Sequence, residues 1–116
     1  TRVRSSAASD VYKRQEYELR RNFVVSSFND MGLECFKPFG SFYVFPSIAG
    51  TGLSSHEFSV QLLKQKSVAV VPGDAFGASG QGHVRACYAT GFDQLKVAMT
   101  RIGEFVRETK AARAAA

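Results

Sequence analysis

A chain of 116 residues that is 45% hydrophobic and holds ten phenylalanines has enough apolar surface for one modest core and too little length for two domains. Its formal charge of +5 is unevenly placed: Arg2, Arg4, Lys13 and Arg14 against Asp10 put +3 into residues 1–15, which leaves +2 for the rest. That mixture offers no basic stripe able to follow a phosphate backbone, and no apolar run approaches the roughly 20 residues of a bilayer span, so neither a nucleic-acid nor a membrane partner is expected.

Residues 1–15 are polar, rich in small side chains and aperiodic, and they are expected to lie outside the fold as a disordered leader. Asp10 to Gln15 resembles read-through of a sequencing adaptor, so the leader is expected either to be non-native or to be an ordinary flexible start. From Glu16 the pattern changes: Leu19, Phe23, Val24, Phe28 and Met31 recur at helical spacing until Gly32 supplies a stop. Leu33 to Lys37 and Ser41 to Phe45 read as strands joined through Gly40 and ended by Pro38 and Pro46. Ser54 and Glu57 form a capping box, and a helix from about Ser55 to Lys66 should bury Phe58, Leu62 and Leu63.

Ser67 to Val71 is a continuous apolar run of the kind covered on both faces, and Val84 to Ala89 is a further strand. Thr90 and Asp93 open a last helix in which Phe92, Leu95, Met99, Ile102 and Val106 alternate by three and four. Residues 111–116 are expected to fray. The order helix-strand-strand-helix-strand-strand-helix implies an α/β chain, an α+β two-layer sandwich with its sheet covered mainly on one face. The domain is expected to span residues 16–110.

The most informative stretch runs from Val68 to Ala89, where a glycine-rich loop separates two strands and the second strand carries Arg85. A guanidinium on a rigid strand can donate two parallel hydrogen bonds to a carboxylate. A positive residue guarding a sheet edge is the competing explanation. Alternation puts Arg85 on the face of Cys87 and Ala89, with Val84, Ala86 and Tyr88 opposite.

Gly73, Gly77, Gly80 and Gly82 do not have nucleotide-loop spacing and lead into a strand rather than a helix, so the loop is read as a mobile pocket mouth. His83 is read as a hydrogen-bonded or solvated loop histidine, and Lys64 and Lys66 as solvated cations at a helix end. Of the aromatic cluster Phe36, Phe39, Phe42, Tyr43 and Phe45, most is expected in the core. Phe42, which follows Gly40 and Ser41, is the second site candidate, because backbone can approach a ligand closely at glycine. Cys35 and Cys87, with His56 and His83, have no metal-ligand spacing; two reduced thiols and no metal are expected in a cytoplasmic protein.

Four ordered motifs, Glu16-Tyr-Glu-Leu-Arg-Arg-Asn-Phe23, Gly40-Ser-Phe-Tyr-Val-Phe-Pro46, Val68-Ala-Val-Val-Pro-Gly-Asp-Ala-Phe-Gly77 and Gly80-Gln-Gly-His-Val-Arg-Ala-Cys-Tyr-Ala89, resemble the C-terminal small domain of class I aminotransferases. These are fold-type I pyridoxal-phosphate enzymes, and the likeness, over about residues 16–109, is to the aspartate and aromatic amino-acid subgroup. The resemblance implies reversible amino transfer between an amino acid and a 2-oxo acid, with pyridoxal phosphate as electron sink and a Schiff-base lysine moving the proton. By motif match Arg85 binds the substrate α-carboxylate, Phe42 and Gly40 line the substrate side, and residues 73–82 border the entrance.

No segment matches the family's lysine motif, phosphate-binding loop or pyridinium-pairing aspartate, so no catalytic or cofactor-binding residue is expected in this chain. The resemblance implies that a missing large domain holds the cofactor, that the fragment alone is inactive, and that the full-length protein is a homodimer. The alternative is a free-standing α/β module that binds a carboxylate effector.

Overall fold

The computed structural model describes residues 2–38 and 42–115, with side chains from Tyr12 onward. The first helix, α1 (Arg2–Asp30), closes with a backbone motif written into the sequence. Gly32 takes φ +85, its N–H donates to the Asn29 carbonyl, and Leu33 N–H reaches back to the Phe28 carbonyl at 2.9 Å. This pair satisfies carbonyls that the last turn would otherwise leave open. The expected boundary at residue 15 is not an element boundary: α1 runs through it from Arg2, since no glycine or proline interrupts residues 2–30. Val24, Val25 and Phe28 are buried, whereas Leu19 is 61% exposed, so the packed face begins later than its spacing suggests.

The strand expected at Leu33 to Lys37 is absent. Asn29 explains why: its side-chain oxygen accepts from Cys35 N–H at 3.0 Å and its amide nitrogen donates to the Cys35 carbonyl at 2.9 Å. One side chain thereby takes both hydrogen-bonding groups that a neighbouring strand would have used. The observed strands are β1 (Tyr43–Val44), β2 (Val71–Pro72) and β3 (Val84–Cys87), in the order β1-β3-β2. Both pairings are antiparallel, with Tyr43 opposite Cys87, Val44 opposite Ala86, Val71 opposite Arg85 and Pro72 opposite Val84. The Ser67 to Val71 run is therefore shorter as a strand than expected, and it is not covered on both faces: Ala69 is exposed between half-buried Val68 and Val70.

The second helix, α2 (Ser55–Lys66), starts on the capping box: Ser54 Oγ accepts from Glu57 N–H at 3.1 Å and Glu57 Oε1 accepts from Ser54 N–H at 3.2 Å. Phe58 and Leu62 are fully buried, but Leu63 is 54% exposed, a correction to the expected core. The third helix, α3 (Phe92–Ala115), continues through the tail that was expected to fray from 111. It supplies Leu95, Met99, Ile102, Phe105 and Val106 to the core.

Phe58 and Phe105 meet edge-to-face at 5.2 Å and join α2 to α3, a contact type that adds about 1 kcal/mol beyond area burial. Lys66 fastens the same two helices at their solvent edge through Glu104 and Glu108, at 3.4 and 3.1 Å. The helices lie on one side of the sheet, where Val44, Val84, Ala86 and Tyr88 complete the core. The α/β class holds, while the expected helix-strand order is replaced by α1-β1-α2-β2-β3-α3 with short 3₁₀ turns between elements.

Candidate functional site

The uncovered face of the sheet holds the site. β3 is the middle strand, and its alternation sends Val84 and Ala86 into the core while Arg85 and Cys87 face outward. Along β1 and the residue that follows it, the same alternation buries Val44 and leaves Tyr43 and Phe45 38% and 47% exposed. The aromatic cluster is thus not core: Phe36 and Phe42 are exposed too, and Phe39 lies outside the described residues. Burial of aromatics presumes a covering layer, and here the helices cover one face only.

Arg85 is half-buried, with its guanidinium carbon 4.3 Å from the Tyr43 ring centre and 4.4 Å from that of Phe76. Phe76 comes from the glycine-rich loop and stands perpendicular to Phe45 at 6.3 Å. Among the described residues, Arg85 makes these two ring contacts and no hydrogen bond or ion pair. Its N–H donors are available to an acceptor from outside, and a carboxylate or phosphate edge matches their planar fork.

The glycine-rich loop has regular backbone structure of its own. Residues 73–76 and 78–80 form successive 3₁₀ turns, and Gly73 N–H donates to the His83 carbonyl at 2.7 Å while His83 N–H donates to the Gly80 carbonyl at 3.1 Å. Gly73 and Gly80 lie against each other so closely that a Cβ on either would strike the other's carbonyl oxygen. Ser55, at the start of α2 and buried, accepts from Gly82 N–H at 3.0 Å and ties the loop to the helix. The loop is therefore a shaped wall that presents Phe76 to Arg85.

Phe42 is not brought to Arg85. It has the parity of Val44 and packs on the other side of β1, against Tyr17 at 5.0 Å and Tyr88 at 6.4 Å. Burial raises the Tyr88 hydroxyl above its ordinary range, which keeps that ring a neutral part of the core. Gly40 lies outside the described residues. His83 keeps to the hydrogen-bonded role: its Nδ1 is 3.0 Å from the Gln81 carbonyl, which requires the proton on that nitrogen. Tyr43 and Phe76 are the functional candidates that the sequence did not single out; strand parity alone could have flagged Tyr43.

The described residues contain no group of His, Cys, Asp and Glu that could hold a metal ion. The lysines with defined contacts are engaged on the helical layer: Lys66 with Glu104 and Glu108, Lys96 over the Phe92 ring and Lys110 on the Met31 carbonyl. Among the described residues, no helix is long and apolar enough to cross a membrane.

Residues 11–102 match the family model described as aminotransferase class I and II. The chain is 52% identical over 97 residues to aromatic-amino-acid aminotransferase 2 of Thermococcus litoralis, covering 84% of this chain and 25% of the relative. It is 50% identical over 97 residues to aspartate aminotransferase of Pyrococcus abyssi, with the same two coverages of 84% and 25%. Among solved structures it superposes on the aromatic aminotransferase from Pyrococcus horikoshii OT3 with a TM-score of 0.85 and 48% identity, over 92% of this chain and 28% of that one. The chain thus spans about a quarter of the length of the relatives it matches.

Proposed function

This chain belongs to the class I and II aminotransferase family, and from that premise we propose that it is the small-domain part of a pyridoxal-phosphate enzyme in which Arg85 receives the substrate α-carboxylate. The observation that carries the reading is the state of Arg85: braced by two rings on a rigid central strand, with N–H donors that no described residue takes. Such a cation gains most from a planar anion presented to its edge, and the substrates of this family, amino acids and 2-oxo acids, carry one at a fixed place.

Phe42 and Gly40 enter the proposal as lining on the substrate side, away from the carboxylate. The cofactor and the lysine that bonds to it are assigned to residues beyond this chain, so the chain alone does not transaminate, and the complete enzyme works as a cytoplasmic homodimer. The role of Arg85 is to hold the carboxylate, and with it the rest of the substrate, in one orientation.

The test is Arg85→Ala in the full-length holoenzyme that carries this chain. A lost charge-assisted clamp should lower kcat/KM for amino-acid substrates by roughly 30- to 1000-fold, or about 2 to 4 kcal/mol. Unchanged apparent affinity and turnover would remove Arg85 from the site.

A further inference from the structure

We propose that Tyr43 and Phe76 are positioning residues for Arg85, an inference that rests on reading Arg85 as the carboxylate receptor. An arginine side chain on an open sheet face has several rotatable bonds, and freezing them on ligand binding weakens affinity. Here two rings from different elements occupy the guanidinium before any ligand arrives. Tyr43 comes from β1 at 4.3 Å and Phe76 from the loop at 4.4 Å. Each ring attracts the cation through its negative face, and no described residue accepts a hydrogen bond from its N–H donors.

The rings are themselves held. Tyr43 is fixed by the β1–β3 register, opposite Cys87 and diagonal to Arg85. Phe76 is fixed by its perpendicular contact with Phe45 and by a loop closed through Gly73, Gly80 and His83. Ser55 ties that loop to the N-terminus of α2 through Gly82. A chain of contacts therefore runs from the core helix to the edge of the guanidinium, and it sets the direction from which a carboxylate can approach.

This arrangement acts on binding rather than on bond making, so it predicts a split between kinetic constants. In the full-length holoenzyme, Phe76→Leu and Tyr43→Leu should each weaken competitive inhibition by 3-phenylpropanoate, a carboxylate without an amino group, by roughly three- to thirtyfold. They should raise KM for L-phenylalanine and L-aspartate in parallel, with kcat changed by less than about twofold. Phe76→Tyr and Tyr43→Phe, which keep the rings, should restore wild-type inhibition. If both leucine variants leave inhibition unchanged while Arg85→Lys weakens it, the positioning role is wrong and the receptor stands. A loss that falls on kcat and is not restored by the ring-bearing variants also overturns it, since that marks a general structural defect. If Arg85→Lys itself leaves inhibition unchanged, the receptor reading fails first.

Discussion

The two cysteines end in opposite surroundings because of where the backbone places them. Cys87 faces outward beside Arg85 and is exposed, while Cys35 is 4% exposed and burial pushes its thiol from 9.0 up to about 11. A buried thiolate would lack the solvation that a free one enjoys, so the folded state holds its proton longer than the unfolded chain does. Below pH 9 both states are protonated and the difference contributes nothing further. Between 9 and 11 the unfolded chain releases the proton first, and stability falls as pH rises. At pH 10.5 the loss should reach about 2 kcal/mol. Tyr88 and Lys66 also have raised values, so the measurement is a difference: urea unfolding of wild type and Cys35→Ala at pH 8.5 and 10.5. The wild type should lose more stability across that step than the variant. Parallel losses would show that Cys35 ionises as freely in the fold as outside it.

Elements whose reasons are local could be read directly from the residues, and elements whose reasons are distant could not. The capping box of α2 and the glycine stop of α1 each depend on side chains within a few positions, and both occur where spacing puts them. The strand expected at Leu33 to Lys37 fails through one asparagine that satisfies the backbone in place of a neighbour. Parity placed Arg85 on its face, but the meeting with Phe76 depends on how the loop folds back, which glycine content does not reveal. For Gly73 and Gly80 the apparent looseness is in fact a requirement for close contact, while Gly77 and Gly82 serve positive φ, and the first of these can be measured. Gly80→Ala drives its new methyl onto the Gly73 carbonyl oxygen, a backbone atom with nowhere to go, and should cost about 1 to 3 kcal/mol. Gly91→Ala meets nothing within 4 Å and should stay within about 0.5 kcal/mol of wild type. Denaturant midpoints of the two variants decide the matter: equal midpoints would mean the loop yields and does not hold Phe76 rigidly.

At the scale of the whole molecule the chain is longer and more open than its residue count calls for. Its radius of gyration is 16.0 Å and its extents are 64 × 29 × 22 Å, whereas a compact domain of this length has a radius near 13 Å. Part of the excess is α1, whose 29 residues reach about 43 Å and whose early turns leave Tyr12 and Leu19 mostly exposed. The rest of the imbalance is the bare sheet face, where Tyr43, Phe45 and Phe76 are 38%, 47% and 50% exposed. Covering each would contribute about 1 to 2 kcal/mol, and contiguous apolar surface of that kind marks an interface. In relatives four times as long there is chain enough to supply the cover; alone, the face has only other copies of itself. Sedimentation velocity over a wide concentration range should therefore show this chain associating. Phe45→Lys should weaken that association, because it sets a cation beside Arg85 where two copies would meet, whereas Leu19→Lys on α1 should not. A chain that stays monomeric throughout, or one for which the two substitutions act alike, would mean that the exposed rings are stable in water and that their purpose is confined to bracing Arg85.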